Sequence, residues 1–205
     1  MVQRSSRPSG VEGIIPSFAF IGPFAVGKTT YSDRLKALIE AEFGIKVYRP
    51  SFSAKMEDIA RDLFGMKEYD RSLMQAIANK MREIDPAVWA RYIIGDVMTH
   101  GRLPIIVDGV RKPEELNTLQ EEIPNLVVIK LTADESQLLE AYKKKFGHYP
   151  TAEQQSNPAE SSIPLLHYDL ALHNNYTKEE LDRQLTGIVD AIRNNTLEKM
   201  LVHKD

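Results

Sequence analysis

Gly22-Pro23-Phe24-Ala25-Val26-Gly27-Lys28-Thr29-Thr30 follows directly on the apolar run Ser17-Phe18-Ala19-Phe20-Ile21. Two glycines separated by four residues and followed by Lys-Thr form a Walker A pattern, and a strand before it with a helix after it is the context that pattern requires. Residues 29 to 42 supply the helix, with Tyr31, Leu35, Leu38 and Ile39 on one face. The glycines permit backbone torsions that turn successive N–H groups inward, and the helix dipole adds positive potential at the same place. Lys28 is expected to reach the β- and γ-phosphates of a nucleoside triphosphate, and the Thr29 hydroxyl to ligate Mg²⁺. All nine residues, Gly22, Pro23, Phe24, Ala25, Val26, Gly27, Lys28, Thr29 and Thr30, are read as the cradle.

Outward from this loop the chain alternates strands and helices. Short apolar runs predict strands at Ser17–Ile21, Ile45–Arg49, Leu103–Val107, Leu126–Leu131 and Tyr168–Leu172. Between them lie helical stripes. Met56, Ile59, Ala60, Leu63 and Phe64 form one that ends near Gly65, and Leu73, Ile77, Met81 and Ile84 form another. Asp85-Pro86 reads as an N-cap with proline at the first helical position, opening a helix through Met98. Pro113 to Glu122 is a short helix. Thr132-Ala133-Asp134-Glu135 and Thr177 to Glu180 match capping boxes. The expected fold is therefore α/β: a five-stranded, mainly parallel sheet with helices on both faces, its ligands at the carboxyl ends of the strands. Residues 1 to 13, rich in Ser, Gly, Pro and Arg, read as a floppy tail, and residues 14 to 205 as one domain.

Composition narrows the function. The chain has 205 residues, a formal net charge of -3 and no cysteine. Disulfides and thiolate chemistry are excluded, and a cytoplasmic setting is expected. An acidic balance without a basic stripe argues against nucleic acid as partner. No apolar run approaches the roughly 20 residues of a membrane span. The five histidines, 100, 148, 167, 173 and 203, show no ligand spacing.

The metal's acidic partner belongs at the end of another core strand, and Ile105-Ile106-Val107-Asp108 provides it, so Asp108 joins Thr29 as the expected Mg²⁺ site. Walker A loops serve motors, switches and small-molecule kinases. A motor needs a second subdomain for which this chain has little room, and no Asn-Lys-x-Asp guanine reader occurs. The stretch 50 to 98 is far longer than the minimal crossover of about a dozen residues. It carries Lys55, Arg71, Lys80, Arg82, Arg91 and the only tryptophan, Trp89. Cations with an aromatic suit an acceptor phosphate attached to a base.

Several segments carry a resemblance: Phe52-Ser53-Ala54-Lys55-Met56-Glu57-Asp58-Ile59-Ala60-Arg61-Asp62-Leu63-Phe64-Gly65-Met66, Asp70 to Gln75, Met81 to Trp89, Ile106 to Glu115, Asn157-Pro158-Ala159-Glu160 and His173 to Leu181. Together they resemble deoxynucleoside monophosphate kinases of the bacteriophage type, in order, over roughly residues 16 to 193. Phosphomevalonate kinase shares several of these segments. The resemblance implies a nucleoside-monophosphate-kinase-like three-layer sandwich with an acceptor-binding insertion at 50–98 and a lid at 143–164. It implies ATP and a (deoxy)nucleoside 5′-monophosphate as substrates with Mg²⁺, and leaves a homodimer open. Carried onto this chain, it gives Lys28, Arg111 and Asp108 as catalytic residues, with Lys55, Arg71, Arg82, Trp89 and Arg111 around the acceptor. Two departures stand out. Gly109 replaces an acid common in the family, and the lid holds no arginine, only Lys143, Lys144, Lys145 and His148. A phosphomevalonate or dephospho-coenzyme A kinase is the nearer alternative, and a nucleotide-binding regulator or ATPase the more distant one.

Overall fold

The computed structural model describes residues 15–101, 104–151 and 161–202. The tail at 1–13, Leu103, the Asn157–Glu160 segment and most of the outer lid lie outside the described residues. Among the described residues there are four strands: β1 (Ser17–Ile21), β2 (Ile106–Asp108), β3 (Leu126–Thr132) and β4 (Leu170–His173). Seven helices are described: α1 (Lys28–Phe43), α2 (Phe52–Phe64), α3 (Arg71–Ile84), α4 (Val88–His100), α5 (Pro113–Glu122), α6 (Glu135–Phe146) and α7 (Lys178–Arg193). The sheet runs β2-β1-β3-β4, and every pairing is parallel.

The two-residue period of β1 divides the interior. Phe18 and Phe20 point into one layer, against Tyr31, Leu35 and Ile39 of α1 and Leu185 and Ile188 of α7. Ala19 and Ile21 point into the other, against Met56 of α2, Ile77 of α3, Trp89 and Ile93 of α4 and Leu116 of α5. All five residues of β1 are buried, as a central parallel strand covered on both faces must be. The result is a three-layer α/β/α sandwich.

Register fixes the working edge. Phe20 pairs with Asp108, Ile21 with Lys130, and Thr132 with His173. The carboxyl ends of all four strands therefore open on one side, where the glycine-rich loop leaves β1.

The expected fifth strand, Ile45–Arg49, is reduced to two isolated parallel bridges, Tyr48 with Ile105 and Ser51 with Asp108. Gly44 ends α1 in the left-handed conformation, and Glu40 Oε1 accepts the Val47 N–H that a ladder would need. Pro50 has no N–H to give. Only Tyr48 keeps ladder bonds, donating to Pro104 O and accepting from Ile106 N. Two helix starts also differ from expectation. Asp85 caps a turn, its Oδ1 accepting from Ala87 N, so α4 begins at Val88. Thr132 stays in β3 and donates to Leu172 O, so Asp134 precedes α6 and the first capping box does not form. At α7, Thr177 does cap, accepting from Glu180 N.

Candidate active site

The loop between β1 and α1 is shaped by its glycines. Gly22 has φ 144, and a Cβ there would sit 2.5 Å from the Leu131 carbonyl oxygen. Gly27 has φ 95, and a Cβ there would meet Asn174 Nδ2 at 2.8 Å. Neither position admits a side chain. Ala25 also takes a positive φ of 62, a local strain held by neighbours. Those neighbours come from the β4–α7 junction: Asn174 Nδ2 donates to Val26 O, and Tyr176 Oη donates to Ala25 O. Lys28 Nζ curls over the loop and donates to Gly22 O at 2.8 Å and Pro23 O at 2.7 Å.

At the end of β2, Asp108 Oδ2 accepts from Thr29 Oγ1 at 2.9 Å. Arg49 Nη2 donates to the same oxygen at 2.9 Å, and its Nε lies 3.2 Å from Asp33 Oδ1. A hydroxyl oxygen and a carboxylate oxygen side by side, at the mouth of the phosphate loop, are hard donors that fit a magnesium ion retaining water ligands.

Glu115 organises the cations. It is fully buried. Its Oε1 accepts from Arg82 Nε at 2.7 Å, and its Oε2 accepts from the backbone N–H groups of Arg111 at 2.8 Å and Lys112 at 3.2 Å. With Pro113 at the first position of α5, Glu115 at the third reaches back to the N-cap backbone N–H of Lys112, so one carboxylate both caps a helix start and anchors a guanidinium. Arg111 Nη1 reaches the loop, donating to Gly22 O at 3.1 Å.

Arg71 opens α3 and is caged by rings. Its guanidinium carbon lies 4.3 Å from the Phe24 ring centroid, 4.4 Å from Phe146 and 5.0 Å from Tyr142. Phe24 carries Arg111 on the same terms, at 4.4 Å. The glycine-rich loop, α3 and α6 thus meet through one cluster of rings and guanidinium groups.

A cavity of roughly 650 Å³ lies in front of this assembly. Lys28, Arg71, Arg82, Arg111 and Lys145 line it, as do the acids Glu57 and Asp108. Burial pushes the Tyr69 phenol, also at the wall, above its ordinary pKa. The predicted residues divide here. Lys28, Thr29, Asp108, Arg71, Arg82 and Arg111 converge on the cavity. Lys55 is not among its lining residues, nor are Lys143, Lys144 and His148; the latter three are exposed, and Lys143 instead lies over the Tyr149 ring. Trp89, expected to stack on the acceptor, is 1% exposed in the core and donates Nε1–H to Ala78 O. Glu115, Arg49, Asn174 and Tyr176 escaped the sequence reading. For Glu115 a signal existed in Lys112-Pro113-Glu114-Glu115, a proline followed two residues later by Glu at a helix start.

By sequence, no protein-family model and no curated protein matches the chain. By structure, a gluconokinase from Sinorhizobium meliloti 1021 superposes with a TM-score of 0.55 at 19% identity, covering 88% of this chain and 95% of that one. A sugar kinase from Janibacter sp. HTCC2649 does so with a TM-score of 0.53 at 18% identity, covering 93% and 100%. An uncharacterized protein from Eubacterium ventriosum ATCC 27560 gives 0.50 at 12% identity, covering 87% and 98%. The chain shares its α/β fold with these two kinases. At these identities the likeness concerns architecture and does not transfer an acceptor. No helix among the described residues is long and apolar enough to cross a membrane.

Proposed function

We propose that the protein is an ATP-dependent small-molecule kinase whose acceptor is a (deoxy)nucleoside 5′-monophosphate. The observation that carries this reading is the cation-lined cavity directly before the phosphate loop. Arg71, Arg82 and Arg111 border it from two separate elements, whereas Lys28 comes from the triphosphate side. A guanidinium suits a phosphate with several oxygens better than a neutral hydroxyl group.

The residues divide the work between the two substrates. Lys28 and the loop amides hold the triphosphate. Thr29 and Asp108 would hold Mg²⁺, which when bound neutralises charge on the phosphates. Arg111, whose backbone is fixed by Glu115 and whose side chain reaches Gly22 O, stands where the two anions must approach. Arg82 and Arg71 take the acceptor's phosphate. That phosphate is already an anion, so no general base is required and the protein's task is alignment and charge neutralisation. Lys145, at the end of α6, is the lid cation that lines the cavity.

A second reading is a sugar-acid acceptor, favoured by the gluconokinase among the structural neighbours. One part of the cavity wall favours the nucleotide: Phe52, Met56, Met74 and Ala78 offer an apolar stretch suited to a flat ring, beside polar groups such as Ser53, Gln75 and Asn79. The test is an ADP-release panel with ATP and Mg²⁺ and each nucleoside and deoxynucleoside monophosphate in turn, alongside gluconate, phosphomevalonate and dephospho-coenzyme A. Turnover with at least one monophosphate, well above the others, is the expected result. Turnover with gluconate alone overturns the nucleotide reading and keeps the kinase.

A further inference from the structure

The wall of the cavity holds two polar groups that the folded protein leaves unsatisfied. All three guanidinium nitrogens of Arg71 are buried without a hydrogen-bond partner among the described residues, and so is Gln75 Nε2. Arg71 and Gln75 are four residues apart on α3, on one face, about 6 Å along the axis. Both border the same cavity, together with Asn79 one turn further on. A buried amide N–H without an acceptor carries an uncompensated desolvation penalty, so such a group in a cavity wall suits an acceptor atom of a ligand. Phe52, Met56, Met74 and Ala78 add apolar surface to the same wall, beside the polar Ser53 and Glu57.

We infer that Gln75 is a specificity-determining residue that donates its amide N–H to a ring carbonyl of the acceptor's base. The inference rests on the nucleotide reading above. Arg71 takes the charge at one end, and the ring lies against the methionines and Phe52. The amide one turn along then meets the edge of the ring. A carbonyl edge, as in thymine, uracil or guanine, accepts from this donor. With the amide oriented as it is here, the amino edge of cytosine or adenine meets it donor to donor and is accommodated only when the amide turns over to present Oε1.

Kinetics with purified full-length protein test this on dTMP, dGMP, dCMP and dAMP, comparing wild type with Gln75→Glu and Gln75→Met. Wild type is expected to favour dTMP and dGMP in kcat/KM by about tenfold or more, the scale of one base-edge contact. Gln75→Glu presents only acceptor oxygens. It should lower kcat/KM for dTMP and dGMP by about tenfold, chiefly through KM, while dCMP and dAMP hold or improve and the KM for ATP stays put. Gln75→Met keeps the length and the helix but removes the polar atoms, and should flatten the preference. An equal fall for all four nucleotides, or a ratio unmoved in both variants, overturns the assignment and leaves the kinase reading intact. A wild-type protein that phosphorylates none of the four nucleotides removes the nucleotide reading itself, and this seat with it.

Discussion

Glu115 shows how much of the site rests on a single carboxylate. Its side chain is fully buried against an Arg82 side chain that is 8% exposed, and two backbone N–H groups share its second oxygen. Removing one partner of such a pair leaves the other charge buried and uncompensated. Glu115→Ala should therefore cost about 3–5 kcal/mol, read as a fall in the urea midpoint with the slope preserved. A loss under about 1 kcal/mol would mean that water reaches Arg82 freely. This hub was hidden in the sequence because its partners are 33 residues apart, and neither residue alone advertises the other. Lys28, Thr29 and Asp108 were legible because a local pattern places each of them: two glycines and a helix start for the first pair, a β-branched strand end for the third. Trp89 misled for the opposite reason. Its helix packs on the core, and a lone aromatic does not say which face it occupies until neighbouring elements are in place.

Among the elements, the β4–α7 junction braces the phosphate loop at Ala25 and Val26, and the first turns of α7 hold that junction. Gln184 Nε2 donates to His173 O and to Glu180 Oε1, and Arg183 donates to both oxygens of Glu180. These bonds, first Arg183 and then Gln184, hold the Glu180 carboxyl well below its ordinary value of 4.5, at about 2. A carboxyl depressed by folding stabilises the native state above its ordinary pKa, and that help fades as pH falls through the folded value. Wild type should thus be more stable than Glu180→Gln near neutral pH, with the gap narrowing between pH 4.5 and about 2 in thermal melts. A gap that does not change with pH would show that the ion pair does not matter to folding. Helix stripes along the chain were readable because they are local, as was the end of α2 at Gly65, which takes the left-handed conformation; the caps Ser51 of α2 and Asp70 of α3 were not read. The stretch at 45–49 has strand-like residues, yet Glu40 takes its Val47 N–H and Pro50 ends it, so a competing side-chain bond overrode propensity.

For the whole molecule, the layering followed from one strand buried on both faces, whereas the placing of a cavity between α3 and the loop needed the assembled fold. If the loop binds a triphosphate, ATP with Mg²⁺ at a hundred times its Kd adds about 2.7 kcal/mol, which raises Tm on the order of 5–10 °C for a chain of this size. Lys28→Ala should lose most of that shift, because the ammonium that donates to Gly22 O and Pro23 O is the group expected to reach the phosphates. An equal shift in both proteins would remove Lys28 from phosphate binding. Arg71, Gln75, Asn79 and Arg82 all belong to one 14-residue helix, whereas the triphosphate loop springs from the central strand. On the proposed reading, the triphosphate and the acceptor are held largely by separate stretches of chain, with Arg111 between them. On that reading, substitutions along this helix would retune the choice of acceptor while the glycine-rich loop kept its own backbone shape.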